Sequence, residues 1–396
     1  MSTRTQIMIS GGGVAGLTAA CLFGTNGFDV ICVDPNPPVT EREADGADLR
    51  STAFLQPSVH VLERAGLWHQ LAPFATPLQT MQIADAGDDG QLRNARAFDA
   101  SDISDLPFGW NLPNWLIRRE LVARIKTLSN VDFRPGTGTE RMLARTSGAR
   151  LWLSDGTQVE ADLVIAADGR NSALRQAAGI EVKTTRYGQM ALAFAVTHPI
   201  AHGNVSTEIH RSGGPFTLVP LPDHNGLPSS AVVWMENADA AQKLFELDET
   251  DFEHAMSERS CHLLGPLTLA SKRSLWPIIS QLATRFSAKR LALVAEAAHV
   301  VPPIGAQGLN MSLADLQSLL DLSAKHALGS ADMLDAYDAA RRHQVGFRVK
   351  GIDLLNRTSR AEADWLRAAR SWGIGAIHDA KPIRTSLMQM GLGMRS

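Results

Sequence analysis

Cysteine is scarce. The 396 residues hold three, Cys21, Cys32 and Cys261, with no spacing for a disulfide framework or a thiolate metal site, so a reducing compartment and buried structural thiols are expected. Long apolar runs are missing too. None approaches the roughly 18 residues of a membrane span, and residues 1–10 reach Gly11 before any stretch of signal-peptide length. The expected location is the cytoplasm, with or without peripheral contact with a membrane. A basic excess is also lacking: 38 Lys and Arg against 41 Asp and Glu leave a net charge of −3 with mixed signs, which argues against a nucleic-acid partner. Internal repeats and low-complexity linkers are absent, and no metal is expected.

What remains is an ordinary globular composition, 44% apolar and 20% charged. The length suits two intimately packed lobes or one large α/β domain with insertions. Gln6 to Ser10 and Phe28 to Val33 are short apolar runs. The segment between them favours helix and stops at Asn26-Gly27, giving β-α-β and hence a parallel pair. Residues 39–54 look charged and turn-like. Ser58 to Ala65 reads as a short helix, 81–96 as surface strands or a hairpin, and 118–129 as an amphipathic helix. A hairpin turns at Asp155-Gly156, followed by a buried strand ending at Asp168-Gly169. Residues 183–285 alternate polar and apolar, as in an antiparallel sheet with one covered face, interrupted by a helical pattern at 240–264. A short strand at 291–294 and helices at 310–327, 331–356 and from Glu362 onward complete the reading.

Gly11, Gly13 and Gly16 form G-x-G-x-x-G directly after a strand and at the start of a helix. The first glycine permits the tight turn, the second lets backbone approach a phosphate, and the third lets helix and sheet pack closely. Backbone N–H groups from Gly13, Val14 and Ala15, together with the helix dipole, then face a pyrophosphate. Asp34 closes the second strand 18 residues after Gly16, where its carboxylate can accept ribose hydroxyls. This pattern points to a dinucleotide and leaves NAD or FAD open.

Two later segments carry a resemblance. Residues 162–175 (DLVIAADGRNSALR) and 290–313 (RLALVAEAAHVVPPIGAQGLNMSL) resemble the second and third flavin motifs of the class A FAD-dependent aromatic hydroxylases, the p-hydroxybenzoate hydroxylase-like superfamily. Within it the chain is most similar to the ubiquinone-biosynthesis hydroxylases, through the 297–313 phrase, Asp48 to Ala53 and Leu334 to Arg341. The resemblance covers nearly the whole chain and is thinnest over 183–285. It implies an α/β fold: a Rossmann-like FAD-binding domain (1–75, 106–182, 286–350) with an inserted, mostly antiparallel β-sheet substrate domain (76–105, 183–285) and a C-terminal helical segment (351–396). It also implies FAD as cofactor and NADPH or NADH as co-substrate. The implied reaction adds one oxygen atom of O2 to an aromatic ring through a C4a-hydroperoxyflavin, with a polyprenylated phenol as expected substrate. The alternatives are a small soluble aromatic or secondary metabolite, or a non-catalytic FAD-binding role in a biosynthetic complex.

By the same resemblance Arg50, Arg118, Asp168 and Glu296 serve the FAD. Backbone at Gly305, Gly308, Leu309 and Asn310 would face the negative charge of reduced flavin, as oxyanion-hole donors do. The chain departs from the family's pattern in two places: Ala295-Glu296 replaces Gly-Asp, and Asp34 replaces a glutamate. Pro303 and His299 are the flavin-loop candidates for the catalytic surface, with His299 expected chiefly to pack and hydrogen-bond. His210, Arg211 and Trp234 receive no role. Trp365, Ala369, Trp372 and Ala376 form a stripe expected chiefly to pack on the substrate domain, and also compatible with an interfacial helix for a lipid-tailed substrate.

Overall fold

The computed structural model describes residues 2–87, 90–211, 213–359 and 378–393. The 365–376 stripe lies outside them. Five parallel strands form the middle of the first sheet, in the order 291–293, 158–166, 2–10, 30–34 and 131–135. Ile7 lies between Val30 and Leu163, and all three side chains are buried. The inner strands are covered on both faces, so their sequences read as continuous apolar runs, whereas 131–135 at the edge is half-exposed. Helix Val14–Thr25 covers one face. It is apolar all round because it is wedged between the sheet and the helices Asn114–Ile125 and Gln307–Ser323. Strands Ala149–Leu153 and Gln158–Ala166 pair antiparallel across the Asp155-Gly156 turn.

Among the described residues the second sheet has nine strands. Its main path runs 299–300, 274–283, 182–197, 227–237, 214–224, 205–211, 80–86 and 92–99, antiparallel except where 205–211 meets 80–86. Helices Ala238–Glu246 and Glu249–Arg259 cover its outer face, sealing Leu192, Phe194, Phe216, Trp234 and Phe252 into a separate core. The inner face turns toward the first sheet, where Ala191, Met235 and Ile278 join the main core. A three-stranded sheet (51–55, 109–113, 76–78) bridges the two, and Asn111 Nδ2 donates to the Pro220 carbonyl at 2.9 Å.

Several expectations need correction. Residues 51–55 are a strand, not a turn, because pairing with 109–113 buries Phe54 completely. Strands Val131–Pro135 and Thr139–Ala144 went unread, since as half-exposed strands they carry no apolar run. The helix expected at 118–129 spans 114–125, starting after Pro113. The helix expected from 310 begins at Gln307, because Ala306 takes a left-handed conformation (φ 54°) immediately before it.

Candidate active site

Strand 2–10 delivers the chain into the glycine turn. Gly11 has φ 111°, and a Cβ there would overlap the Ala167 carbonyl; a Cβ at Gly16 would overlap the carbonyl of Gly11. Gly13 differs, because nothing lies within 4 Å of the position its Cβ would take. The helix after it has no side-chain cap and no acidic residue in its first turn. Its N–H groups therefore face open space with the positive end of the dipole behind them, as an anion site requires. Asp34 accepts from the Gly12 amide at 2.6 Å through Oδ2 and from the Asn36 amide at 2.7 Å through Oδ1. It fixes the turn and keeps further lone pairs for a ligand hydroxyl.

A second loop end lies beside this one. Asp168 follows the 158–166 strand and accepts weakly from the Leu174 amide at 3.3 Å. Its Oδ1 is buried without a hydrogen-bond partner among the described residues. Buried acceptors are normally satisfied, so this oxygen marks a place for a ligand or water. Buried Arg175 ties the loop to the next by donating to the Arg170 and Ala297 carbonyls, each at 2.9 Å. Arg170 in turn pairs with Glu296 at 3.4 Å.

The third segment is the loop 301–306. Pro303, Gly305 and Gly308 are exposed and Leu309 is half-buried. The 307–323 helix also starts without a side-chain cap or an acidic first turn, a second open helix N-terminus. The Asn310 side chain is fully engaged: Nδ2 donates to Ala53 and Ala306 carbonyls at 2.8 and 2.6 Å, and Oδ1 accepts from the Leu55 amide at 2.9 Å. His299 is sealed inside, with Nε2 at 2.7 Å from Asp315 Oδ2. Arg341 Nε donates to the other carboxylate oxygen at 2.7 Å, and all three side chains are buried. Burial pushes the Asp315 carboxyl up, but the charges and hydrogen bonds of His299 and Arg341 outweigh it and hold it below the ordinary range. This network pins the loop to the helices behind it.

Arg50 and Arg118 come together on one carboxylate. Asp48 accepts from Arg50 Nε and Nη2 at 2.7 and 2.8 Å, from Asn114 at 3.0 Å and from Arg118 at 3.4 Å. Burial raises the Asp48 pKa, yet these donors bring it below the usual value. The guanidinium of Arg50 lies over Trp276 from the second sheet, 5.3 Å from the ring centroid. Arg50 also feels the charge of Glu296, so this arginine stands between the two sheets and near the 295–297 turn.

Sequence reasoning missed Asp48, Trp276, Arg170, Asp315 and Arg341 as positioning residues. Each reaches a partner distant in sequence or has no motif of its own. Asp48, Arg170 and Arg341 sat inside phrases already singled out.

Residues 4–349 match the FAD binding domain family. The chain belongs to that family. It is 30% identical to a ubiquinone hydroxylase, UbiL, from Rhodospirillum rubrum, over 98% of this chain and 89% of that one. It is 26% identical to the human mitochondrial ubiquinone biosynthesis monooxygenase COQ6 (98% and 92%) and 24% identical to the Escherichia coli 3-demethoxyubiquinol 3-hydroxylase (98% and 99%). In fold it is similar to p-nitrophenol 4-monooxygenase PnpA from Pseudomonas putida, with a TM-score of 0.81 at 20% identity over the whole of both chains. The chain is a FAD-dependent aromatic monooxygenase, with the Rossmann-like fold expected of one. The open helix N-terminus at Gly13 and the orphaned Asp168 oxygen fit such a dinucleotide. No helix among the described residues is long and apolar enough to cross a membrane.

Proposed function

We propose that this monooxygenase uses NAD(P)H and O2 to hydroxylate a polyprenylated phenol on the way to ubiquinone. The observation that carries the reading is similarity along 98% of the chain to three proteins whose names place them in ubiquinone chemistry. Bound FAD supplies the redox chemistry, taking up two electrons and passing them to dioxygen.

The chain's own residues bind, orient and exclude water. Amides of Gly13, Val14 and Ala15 hold the pyrophosphate at the helix N-terminus, and Asp34 accepts a ribose hydroxyl. Asp168 and Glu296 serve the ribitol and pyrophosphate region, while Arg50 and Arg118 supply positive charge from the Asp48 clamp. Backbone N–H groups at Gly308, Leu309 and Asn310 stabilise negative charge at the pyrimidine end of the ring. Pro303 is exposed on that loop, and this reading assigns it to the substrate side. The inner face of the second sheet, with Ala191, Ala193, Val233 and Met235, gives an apolar wall that keeps water from the ring.

A lipid tail also suits helix Lys381–Leu392, which exposes Ile383, Leu387 and Met390 at i, i+4 and i+7. Gln307 donates to the Gly391 carbonyl at 3.1 Å, so this helix docks beside the flavin loop. Deleting the gene tests the reading. Accumulation of a quinone precursor lacking one hydroxyl is expected, restored by the wild-type gene. Unchanged quinone content in a strain with no second hydroxylase overturns it.

A further inference from the structure

We propose that His210, held by Glu208, takes the phenolic proton of the aromatic substrate. This rests on the phenol-hydroxylating reading above. An aromatic ring attacks an electrophilic oxygen more readily as phenolate than as phenol. A buried phenol therefore needs a proton acceptor within hydrogen-bond reach.

The inner face of the second sheet offers few. The central strands contribute no ionisable group from Gln189 to Ala195, from Pro215 to Leu221, or from Ala231 to Met235. The next strand, Val205–Arg211, contributes two. Ile209 lies opposite Phe216, whose ring is sealed under the outer helices. Residues opposite one another in an antiparallel pair share a face. Glu208, opposite Thr217, and His210, opposite Pro215, therefore take the inner face. Thr217 and Glu208 are only half-buried there.

His210 is 6% exposed and its Nε2 lies 2.8 Å from Glu208 Oε1. With the Glu208 carboxylate as acceptor, the neutral imidazole carries its hydrogen on Nε2, and that tautomer leaves the Nδ1 lone pair for a ligand. That Nδ1 is buried and has no hydrogen-bond partner among the described residues. His198, by contrast, uses both nitrogens, with the Ile200 carbonyl at 2.8 Å and the Ser230 hydroxyl at 2.9 Å; His299 shares the unpartnered Nδ1 but is sealed behind the 301–306 loop, whereas His210 lies on the inner face of the second sheet. The charged neighbours of the pair are Asp85, across from His210 on the parallel strand, Arg93 beyond it, and Arg211 next in sequence. Arg211 shares a cluster with Arg259 and Glu236. In the step, the phenol O–H bond breaks and an N–H bond forms at Nδ1. Phenolate and imidazolium arise together, and Glu208, a positioning residue, balances the imidazolium. The proton leaves to solvent after product release.

The test uses the FAD-loaded full chain, with two probes. A short-prenyl phenol reports hydroxylation. 4-Nitrophenol, yellow only as its anion, reports the ionisation of a bound phenol. The wild type is expected to bind the yellow anion at a pH where the free dye is mostly colourless. His210→Gln, which preserves a donor for Glu208, is expected to bind the colourless form. Its hydroxylation rate at neutral pH should fall about 100-fold, with the pH profile moving toward the phenol's own pKa of about 10. Anaerobic flavin reduction should change less than about twofold. Glu208→Gln should give the same colour change with a smaller loss. A wild type that leaves the dye colourless or unbound overturns the proposal. So does a His210→Gln protein with unchanged dye colour and pH profile. His210-dependent anion binding without any hydroxylated product would instead contradict the functional reading and leave this proton acceptor standing.

Discussion

Phe216 and Thr217 are adjacent on one strand and meet opposite environments. Phe216 is fully buried under the outer helices, its ring 5.4 Å from Trp234 in an edge-to-face contact. Thr217 is half-buried on the face that looks toward the first sheet. Gly16 and Gly13 repeat the contrast within one turn, the first closed by the Gly11 carbonyl and the second open. In both places one residue carries the fold and a near neighbour is left for the reaction. Packing and chemistry are separated by strand alternation in the sheet and by three residues in the turn.

This contrast can be broken most severely on the sealed side. Phe216→Ala should cost about 3–5 kcal/mol, measured by denaturant unfolding. Asp315→Ala should cost about as much, because it leaves Arg341 buried without its counter-ion. Asp315 also fixes a pH dependence. Its folded pKa is below the unfolded value of about 3.9, so the unfolded chain binds more protons there. Its contribution should be complete above the ordinary aspartate range and lost as pH falls through and below it. Urea midpoints in Asp315→Asn should show a weaker acid loss than those of the wild type. Asp48→Asn comes next, with an expected loss of about 1.5–3 kcal/mol in FAD affinity as Arg50 leaves Trp276; titration of the apoprotein with FAD reads it.

The open side should give the smallest changes in stability. Thr217→Ala should move unfolding by no more than about 0.5 kcal/mol while raising KM for the phenol several-fold. Gly13→Ala should leave the melting temperature of the apoprotein nearly unchanged and weaken FAD binding. If Thr217→Ala unfolds the protein as readily as Phe216→Ala, the assignment of faces is wrong.

The glycine turn, its strands and helix, and Asp34 were legible because each follows from local pattern: an apolar run, a glycine spacing, a carboxylate at a strand end. The 301–306 loop was legible through resemblance. The Asp48 clamp was not, because an aspartate in a charged stretch reads as solvated surface until Arg118 and Asn114 arrive from a distant helix. His299 was readable as a loop histidine, but its partner Asp315 sits within a helix where an acid is unremarkable. The faces of the second sheet were hidden too. Alternation shows that two faces exist, while only the positions of helices 238–246 and 249–259 show which is sealed. His210 could not be given a role for that reason.

The most direct test of the central claim is a single turnover with isotopically labelled dioxygen. FAD-loaded protein, NADPH or NADH and a short-prenyl phenol are mixed, and the product is weighed by mass spectrometry. The account predicts one labelled oxygen atom on the aromatic ring and nicotinamide oxidised in step with product. Flavin that is reduced and reoxidised with all the label in hydrogen peroxide and none on the ring would contradict it.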